Sequence, residues 1–378
     1  MLRVMIDATS LLLRSAGVKT YTYELIKALR HEHSAGAVRL FPFLDLPADY
    51  DHEHSPLPYL STMMKIAALH FGNLPHNPAW NLLGKTIDIF HCSNQCKNPP
   101  RNTILTATVH DMTCWLTPEL HSVANVRADA IYADRVLKRA HALIAVSENS
   151  RRDAIKVLGI PEDRIVAIHP GVASHFFNVP PPEIERVRTK LNLSRSYVLS
   201  IGTIEPRKNT DRLLAAWSEL RKDLRDSFDL IFAGPLGWAS DATKAALHQD
   251  RKPGQGEVRY LGYVDESDLA GLTAGAAVLA YPSLYEGFGL PVAQAMASGV
   301  AVVTSNMSSM PEVGGDAAEY VDPRSVDSIR AGLEKVLDDE ELRRDMGRIG
   351  MGIAQNYQWE VSARKTWAFW TSLAGKAR

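Results

Sequence analysis

Short runs of consecutive apolar residues alternate with amphipathic stretches along the whole chain. Runs such as Ala142–Val146 are typical of strands that are covered on both faces, because no polar face alternates with the apolar one. Strands interleaved with helices form parallel sheets through right-handed crossovers. The first half of the chain therefore predicts an α/β unit, with strands at residues 2–7, 39–44, 87–91, 104–111 and 141–147.

The alternation pauses and then restarts, which indicates a second α/β unit. The segments at 169–171 and 179–182 interrupt regular structure, since their prolines remove donors and fix φ. The chain of 378 residues is also longer than one core usually supports. We expect domains at 1–172 and 173–355, and a C-terminal helix at 356–378 that packs back towards the first domain. Strand-like runs of the second domain lie at 197–202, 229–233, 258–264, 277–281 and 300–304.

Two apolar segments allow either a core helix or contact with a membrane surface. The first is 57–74, which contains Met63, Met64 and Phe71, and the second is 357–373, which contains three tryptophans. We interpret both segments as core helices, and a peripheral membrane contact is the alternative.

Composition excludes several classes of partner. The 42 Lys and Arg against 43 Asp and Glu give a net charge of −1, so no global attraction to nucleic acid is expected. Cys92, Cys96 and Cys114 are too few for a disulfide framework and lack the paired spacing of a zinc motif. The N-terminal segment does not resemble a signal peptide. We expect a cytoplasmic protein without a metal or cofactor, whose membrane contact, if any, is peripheral at the inner face.

The loop after the strand at 197–202 is the first candidate site. It reads Gly-Thr-Ile-Glu-Pro-Arg-Lys-Asn from Gly202 to Asn209, and a helix follows with Asn209 as its expected cap. Glycine permits close backbone approach, and two adjacent cations near a helix start attract an anion. Gly202, Arg207 and Lys208 are therefore candidates for binding a diphosphate, with a solvated basic pair as the alternative.

The loop after the strand at 277–281 is the second candidate site. Its sequence from Glu286 to Pro291 is Glu-Gly-Phe-Gly-Leu-Pro. The two glycines allow a tight turn, and proline suits the first turn of the helix that follows. Backbone amides at this helix start would face a ligand, together with the side chains of Glu286 and Gln294.

Both loops resemble the motifs of glycosyltransferase family 4, the retaining glycosyltransferases of the group 1 type. The resemblance includes the 286–291 motif with its continuation to 313, the 205–209 motif, and matches at 109–111 and 146–152. It covers nearly the whole chain. The family implies the GT-B fold, an α/β fold in which two Rossmann-like domains place parallel sheets on either side of a central cleft. The donor is then held mainly by the second domain and the acceptor is met mainly by the first.

The resemblance also implies roles for single residues. Lys208, with Arg207 beside it, would bind the donor diphosphate, and Glu286 would contact the sugar hydroxyls. His110 would approach the reacting sugar, and Gly17 would lie near the phosphates in a loop where the family has a glycine pair and this chain has Ala16-Gly17. The turn residues Gly287, Phe288, Gly289 and Leu290 would complete the donor site.

Gln294 departs from the family pattern. The family has a second glutamate here, with seven residues between it and the first, and that glutamate binds the ribose hydroxyls. An amide oxygen accepts hydrogen bonds without the charge of a carboxylate. We expect Gln294 to bind the ribose more weakly than glutamate would.

The expected reaction is retaining transfer of a hexose from a nucleoside-diphosphate sugar to a carbohydrate or lipid-linked acceptor hydroxyl, without a divalent ion. Similarity to bacterial polysaccharide mannosyltransferases makes GDP-mannose the first candidate donor, in polysaccharide or glycolipid assembly. Two alternatives stay open. One is a nucleotide-sugar epimerase or hydrolase of similar architecture, and the other is a non-catalytic nucleotide-sugar-binding protein.

Overall fold

The computed structural model describes residues 2–14, 17–34, 36–50, 52, 54–74, 77–247 and 257–376. The chain forms two compact units, residues 1–171 with 358–378 and residues 172–357. Each unit contains one six-stranded sheet. The chain therefore has the α/β architecture that the alternating apolar runs predict.

The sheet of the first unit is entirely parallel. Its strands are β1 (Val4–Asp7), β2 (Val38–Phe41), β3 (Ile89–Cys92), β4 (Ile104–Val109), β5 (Ala142–Ala145) and β6 (Ile165–Ala167). They lie in the order β2-β1-β3-β4-β5-β6, so the order reverses at β1. The helices are α1 (Gly17–Glu32), α2 (Tyr59–Gly72), α3 (Pro78–Gly84), α4 (Thr113–Leu116), α5 (Val123–Arg135) and α6 (Glu148–Leu158).

The sheet of the second unit is also parallel. Its strands are β7 (Ser196–Ile201), β8 (Phe228–Ala233), β9 (Val258–Tyr260), β10 (Val278–Tyr281), β11 (Ala301–Ser305) and β12 (Ala318–Val321). Their order is β12-β11-β10-β7-β8-β9, with the reversal between β10 and β7. The helices are α7 (Pro181–Lys190), α8 (Thr210–Ser218), α9 (Lys222–Ser227), α10 (Asp241–Leu247), α11 (Glu266–Ala274), α12 (Leu290–Ala297), α13 (Met310–Gly314), α14 (Val326–Asp338) and α15 (Glu340–Ala354).

The last helix, α16 (Trp359–Lys376), belongs to the first unit and packs on α1. Trp359 and Trp370 are buried, and Trp367 stacks on His33 with 3.8 Å between the ring centroids. The interpretation of this segment as a core helix is therefore confirmed for Trp359 and Trp370.

Local sequence signals set the helix ends. Helix α6 begins after Ser147, whose hydroxyl accepts the N–H of Ser150. It ends at Leu158 and is followed by Gly159, whose φ of 67° suits glycine because no Cβ is present. No helix in the described ranges combines the length and the apolar character needed to cross a bilayer.

Helix α2 departs from the sequence interpretation. The segment is helical as expected, but its buried residues are only Thr62, Leu69 and Gly72. Tyr59 and Leu60 are 80% and 72% exposed. The interpretation of this segment as a core helix is therefore wrong, because its apolar residues lie on nearly all sides of the helix and one face alone packs inward.

A buried histidine links two strands of the first sheet. His91 on β3 places Nδ1 2.9 Å from the hydroxyl of Thr106 and Nε2 2.9 Å from the hydroxyl of Thr108, both on β4. The ring centroid of Trp370 lies 5.2 Å away. Burial, reinforced by the nearby His110, lowers the pKa of His91 to about 3. The imidazole is therefore neutral in the folded protein at physiological pH.

This burial predicts a loss of stability in acid. The unfolded chain takes up the proton at a pKa near 6.5 and the folded chain only at about 3, so stability falls as pH drops through that window. We expect His91→Gln to remove about 1.4 kcal/mol per pH unit from the slope of the unfolding free energy between pH 6 and 4.5. Urea titrations at several pH values measure that slope. The control is His70→Gln on the exposed side of α2, and equal slopes in the two variants would contradict the assignment.

Candidate functional site

Two loops of the second unit meet where the strand order reverses. Because β7 and β10 are parallel neighbours, their carboxyl ends lie at the same edge of the sheet. The N–H of Leu284, after β10, donates to the carbonyl oxygen of Arg207, after β7, at 2.9 Å. Open α/β sheets bind their ligands at such a reversal point. Both sequence motifs therefore lie at the expected edge of the second sheet.

The carboxylate of Glu286 binds both cations of the first motif. Its Oε2 lies 2.7 Å from Nη1 of Arg207, and its Oε1 lies 2.6 Å from Nζ of Lys208. Arg207 also binds Glu205, with 2.6 Å between Nη2 and Oε1. Two cations thus face two carboxylates. The alternative of a solvated basic pair is wrong, and the expected free positive charge is instead neutralised within the site.

Lys208 is enclosed on several sides. Its Nζ donates to the hydroxyl of Tyr281 and lies 4.8 Å from the centroid of that ring. Tyr281 in turn donates to Oε1 of Glu286 at 3.0 Å. A Cβ on Gly202, whose φ is +136°, would lie 3.3 Å from Cε of Lys208. Gly202 therefore provides the space in which the lysine side chain lies.

The charges of this cluster depend on burial and on each other. Burial raises the pKa of Glu286, but Arg207 and Lys208 outweigh it and lower the pKa to about 2. Burial also lowers the pKa of Lys208, an effect that Glu286 opposes and Arg207 reinforces. The pKa of Tyr281 is raised well above its usual value, first by burial. Glu286 is therefore ionised and Tyr281 protonated throughout the physiological pH range.

The turn before α12 presents backbone donors. Gly289 has a φ of +98°, a conformation that favours glycine, and a Cβ there would lie 2.3 Å from Cε of the flexible Met310 side chain. Pro291 lies in the first turn of α12, as expected. Among the described residues, none accepts a hydrogen bond from the amides of Gly289 and Leu290. The turn thus offers two N–H groups at the positive end of a helix dipole.

Ser309 stabilises the conformation of this turn. Its hydroxyl lies 3.0 Å from the carbonyl oxygen of Glu286 and 2.9 Å from that of Phe288. Gly287, between these two residues, is buried. The carbonyl groups on either side of Gly287 therefore point towards Ser309.

Gln294 lies on α12, four residues beyond Leu290 and hence roughly 6 Å further along the helix axis. The residue is 7% exposed, and its side-chain amide has no hydrogen-bond partner in the described part of the chain. The side chain is therefore available to a ligand.

Asn209 stands at the expected cap position but does not cap α8. Its side-chain amide donates to the carbonyl oxygens of Pro282 at 3.0 Å and Pro323 at 2.6 Å. The expectation of a cap is wrong, because the buried asparagine instead links three loops of the second unit.

His110 lies in the first unit, directly after β4. Its ring stands edge-on to Tyr21, with 5.0 Å between centroids, and its Nε2 is buried without a partner among the described residues. Burial lowers the pKa of His110 to about 4, although Asp111 opposes the shift. Gly17 is the exposed first residue of α1, and Ala16 lies outside the described residues. His110 is therefore a neutral imidazole with a free nitrogen at the carboxyl edge of its sheet.

The second unit brings Gly202, Arg207, Lys208 and Glu286 together, while His110 and Gly17 belong to the first unit. Neither Tyr281 nor Ser309 belongs to a motif by which the sequence marks the site. One feature of the sequence could have indicated Tyr281, since it is the polar last residue of a buried strand. No group of three or more His, Cys, Asp or Glu side chains in the described ranges is placed to hold a metal ion.

Two family models together match most of the chain. The model described as "Glycosyltransferase Family 4" matches residues 15–176, and the model described as "Glycosyl transferases group 1" matches residues 182–351. The O-antigen chain mannosyltransferase B of Escherichia coli is 33% identical over 362 residues, which cover 93% of this chain and 94% of that protein. The serotype-specific mannosyltransferase WbdA of Escherichia coli is 27% identical, over 73% of this chain and 34% of that protein.

Solved structures share the fold at low sequence identity. Sucrose-phosphate synthase from Thermosynechococcus elongatus has a TM-score of 0.75 and 19% identity, and each chain is covered completely. The Anabaena protein HepE, solved with UDP-glucose, has a TM-score of 0.70 and 19% identity, with 98% of this chain and 100% of that chain covered. These likenesses establish the GT-B fold.

The buried tyrosine of the site predicts a difference between two tyrosine variants. Tyr281 donates to the charged Glu286, whereas Tyr197 on β7, which is also buried, donates to the neutral carbonyl of Leu272 at 2.7 Å. We expect Tyr281→Phe to lower the unfolding free energy by about 2 kcal/mol and Tyr197→Phe by about 1 kcal/mol, since hydrogen bonds to charged groups are stronger. Chemical denaturation of both variants measures the difference. Equal losses would contradict a charge-assisted bond at Tyr281.

Proposed function

We propose a reaction for this chain, which belongs to glycosyltransferase family 4 and has the GT-B fold. It transfers a hexose from a nucleoside-diphosphate sugar to an acceptor hydroxyl with retention of configuration. The observation that carries the proposal is the cluster of Glu286 with Arg207 and Lys208 beside a helix start with free amides. Such a site combines donors for a diphosphate with an acceptor for sugar hydroxyls.

Lys208 is the residue that we assign to the donor diphosphate. An ammonium group has three N–H donors, and the contacts to Glu286 and Tyr281 use two of them. The third remains for a phosphate oxygen. Arg207 instead directs its donors to Glu205, Glu286 and the carbonyl of Tyr285. Arg207 is therefore expected to hold the cluster together, and Lys208 to contact the ligand.

The amides of Gly289 and Leu290 complete the proposed diphosphate site. As the glycosidic bond breaks, negative charge grows on the departing diphosphate, and preorganised donors stabilise that charge. Glu286, which stays ionised, accepts hydrogen bonds from sugar hydroxyls and faces the positive charge that develops on the sugar. We favour departure and attack on the same face through an oxocarbenium-like state, without a covalent intermediate and without a divalent ion.

The first unit would contribute His110 and the acceptor. The neutral imidazole, with its unpartnered Nε2, suits a hydrogen bond to the reacting sugar or the acceptor hydroxyl. Gly17, at the start of α1, is assigned to the phosphate loop. The acceptor is a carbohydrate or a lipid-linked carbohydrate, and the exposed apolar side of α2 is the surface for peripheral membrane contact at the inner face.

The relatives support the choice of donor and process. Their names describe mannosyltransferases, one of them for the O-antigen chain, so we propose mannose from GDP-mannose in bacterial polysaccharide assembly. A thermal-shift panel of GDP-mannose, UDP-glucose and other nucleotide sugars identifies the donor, since a ligand that binds the native state raises the unfolding temperature. Stabilisation by a UDP-sugar but not by GDP-mannose would overturn the mannose assignment.

Gln294 favours one alternative, a nucleotide-sugar-binding protein without turnover. Product analysis with donor alone and with donor plus acceptor separates the three functions. Transfer that depends on the acceptor supports the glycosyltransferase. Conversion of the donor alone supports an epimerase or hydrolase, and binding without conversion supports the non-catalytic protein.

Replacing Lys208 tests the diphosphate assignment. We expect Lys208→Ala to remove about 2 to 4 kcal/mol of transition-state stabilisation, comparable to losing one preorganised donor. That corresponds to a decrease in kcat/KM on the order of 30- to 1,000-fold. The variant also removes one partner of Glu286, which can lower stability. Unfolding curves therefore identify a temperature at which the variant is fully folded, and kcat/KM is measured there. The control is Arg212→Ala, which removes an exposed cation one turn away on α8. A similar kcat/KM in both variants would contradict the assignment of Lys208 to the diphosphate.

Replacing Gln294 tests the ribose assignment. Gln294→Glu restores a charged acceptor, and we expect donor binding to strengthen by about 1 kcal/mol, roughly fivefold in Kd. Calorimetry with the donor found in the panel measures this change. Gln355→Glu introduces the same charge at an exposed position of the same unit and should leave Kd unchanged. An unchanged Kd in Gln294→Glu would contradict the assignment of Gln294 to the ribose.

A further inference from the structure

The first unit contains a cavity of about 370 Å³ at the edge opposite His110. Thr103 and Leu105, at the start of β4, and His141, directly before β5, line it. His110 follows the other end of β4. Six residues of strand at about 3.3 Å each separate the two edges by roughly 20 Å. The cavity is therefore distinct from the edge at which we assign His110.

Three arginines line this cavity without partners of their own. Arg101, Arg135 and Arg139 are exposed, and none of their guanidinium groups makes a hydrogen bond or ion pair in the described ranges. By contrast, Arg164 nearby donates to the carbonyl oxygen of Ala140. No Asp or Glu is among the residues that line the cavity. The local charge is therefore strongly positive in a chain whose net charge is −1.

His141 adds an oriented donor. Its Nδ1 accepts the backbone N–H of Leu105 at 2.9 Å. Because a backbone amide can only donate, Nδ1 carries no proton in this arrangement, and the proton of the neutral ring lies on Nε2. The contact thus fixes the tautomer and leaves Nε2–H as the ring's free donor at the cavity.

Hydrogen bonds hold one segment of the cavity lining in place. The side-chain oxygen of Asn73, directly after α2, accepts the N–H of Lys97 at 2.7 Å and that of Asn98 at 3.2 Å. Asn98 lines the cavity together with the apolar side chains of Leu74 and Trp80. The lining therefore combines a hydrogen-bonded segment, apolar side chains and three cations.

We propose that this cavity binds a phosphate or diphosphate ester. The planar guanidinium group presents paired N–H donors that match phosphate oxygens, and three such groups with the Nε2–H of His141 suit a dianion or a more highly charged group. Leu74 and Trp80 would contact the organic part of the ester. The site stands independently of the proposed donor site, whose residues Lys208 and Glu286 belong to the other unit.

Calorimetric titration with inorganic pyrophosphate tests the proposal. We expect saturable binding to the full-length protein that persists in Lys208→Ala, which removes the proposed donor contact. Arg135→Gln/Arg139→Gln should weaken this binding on the order of tenfold or more for each arginine removed, because charge-assisted hydrogen bonds to phosphate are lost. Since both arginines are exposed and unpaired, the double variant should unfold at the wild-type denaturant concentration.

The matched control is Arg127→Gln/Lys156→Gln, which removes the same charge from exposed positions of α5 and α6 that do not line the cavity. Pyrophosphate binding should be unchanged there. Three results would overturn the proposal: no saturable binding by wild type, complete loss of binding in Lys208→Ala, or equal weakening in the two double variants. If Lys208→Ala alone abolishes binding, this proposal fails while the donor-site proposal stands.

Vesicles distinguish the two sources of such an ester. Sedimentation with phosphatidylcholine vesicles that contain phosphatidic acid, compared with pure phosphatidylcholine, reports a lipid phosphate. If the cavity binds a lipid headgroup, wild type sediments with the phosphatidic acid vesicles and Arg135→Gln/Arg139→Gln does not. If it binds a soluble ester, the two proteins sediment alike and only the pyrophosphate titration separates them. Both results support the phosphate-binding cavity.

Discussion

A single carboxylate holds the candidate site of the second unit together. Glu286 is 6% exposed, and an ionised carboxylate at such a position would be strongly disfavoured without partners. Arg207, Lys208 and Tyr281 all bind it. Because Glu286 follows β10 and the two cations follow β7, these contacts also join two loops that are far apart in sequence. Removal of one partner from a buried ion pair typically costs about 3 to 5 kcal/mol, so the loops and the charges depend on each other.

Glycines make this arrangement possible because both loops approach other chain segments closely. A Cβ on Gly234 would lie 2.1 Å from the carbonyl oxygen of Gly202, and one on Gly289 would overlap Met310. Gly202 and Gly289 also have positive φ values. The backbone conformation at these glycines therefore creates the space beside Lys208 and exposes the amides of the turn. The positions of the side chains depend on that conformation.

The sequence predicted the sheets better than the site. Each of the ten expected segments contains a strand. The sequence did not reveal β6 and β12, edge strands of three and four residues that are only partly buried. The motifs located the loops, but the pairing of Lys208 with Glu286, 78 residues apart, follows from strand order rather than from local pattern. The same limit applies to α2, since periodicity does not reveal which side lacks a neighbour when apolar residues lie on nearly all sides of a helix.

The charge balance of the site also bears on how it would respond to a ligand. Two cations and two carboxylates leave no excess positive charge, so a diphosphate would be held by directed donors more than by a general field. Lys208 has one unused N–H, and the turn offers the amides of Gly289 and Leu290. Because Glu286 already fixes the ammonium group and Ser309 already fixes the turn, little reorganisation is needed when these donors meet an anion. Preorganisation of this kind would favour the state in which a diphosphate has gained charge, as the proposed glycosyl transfer requires.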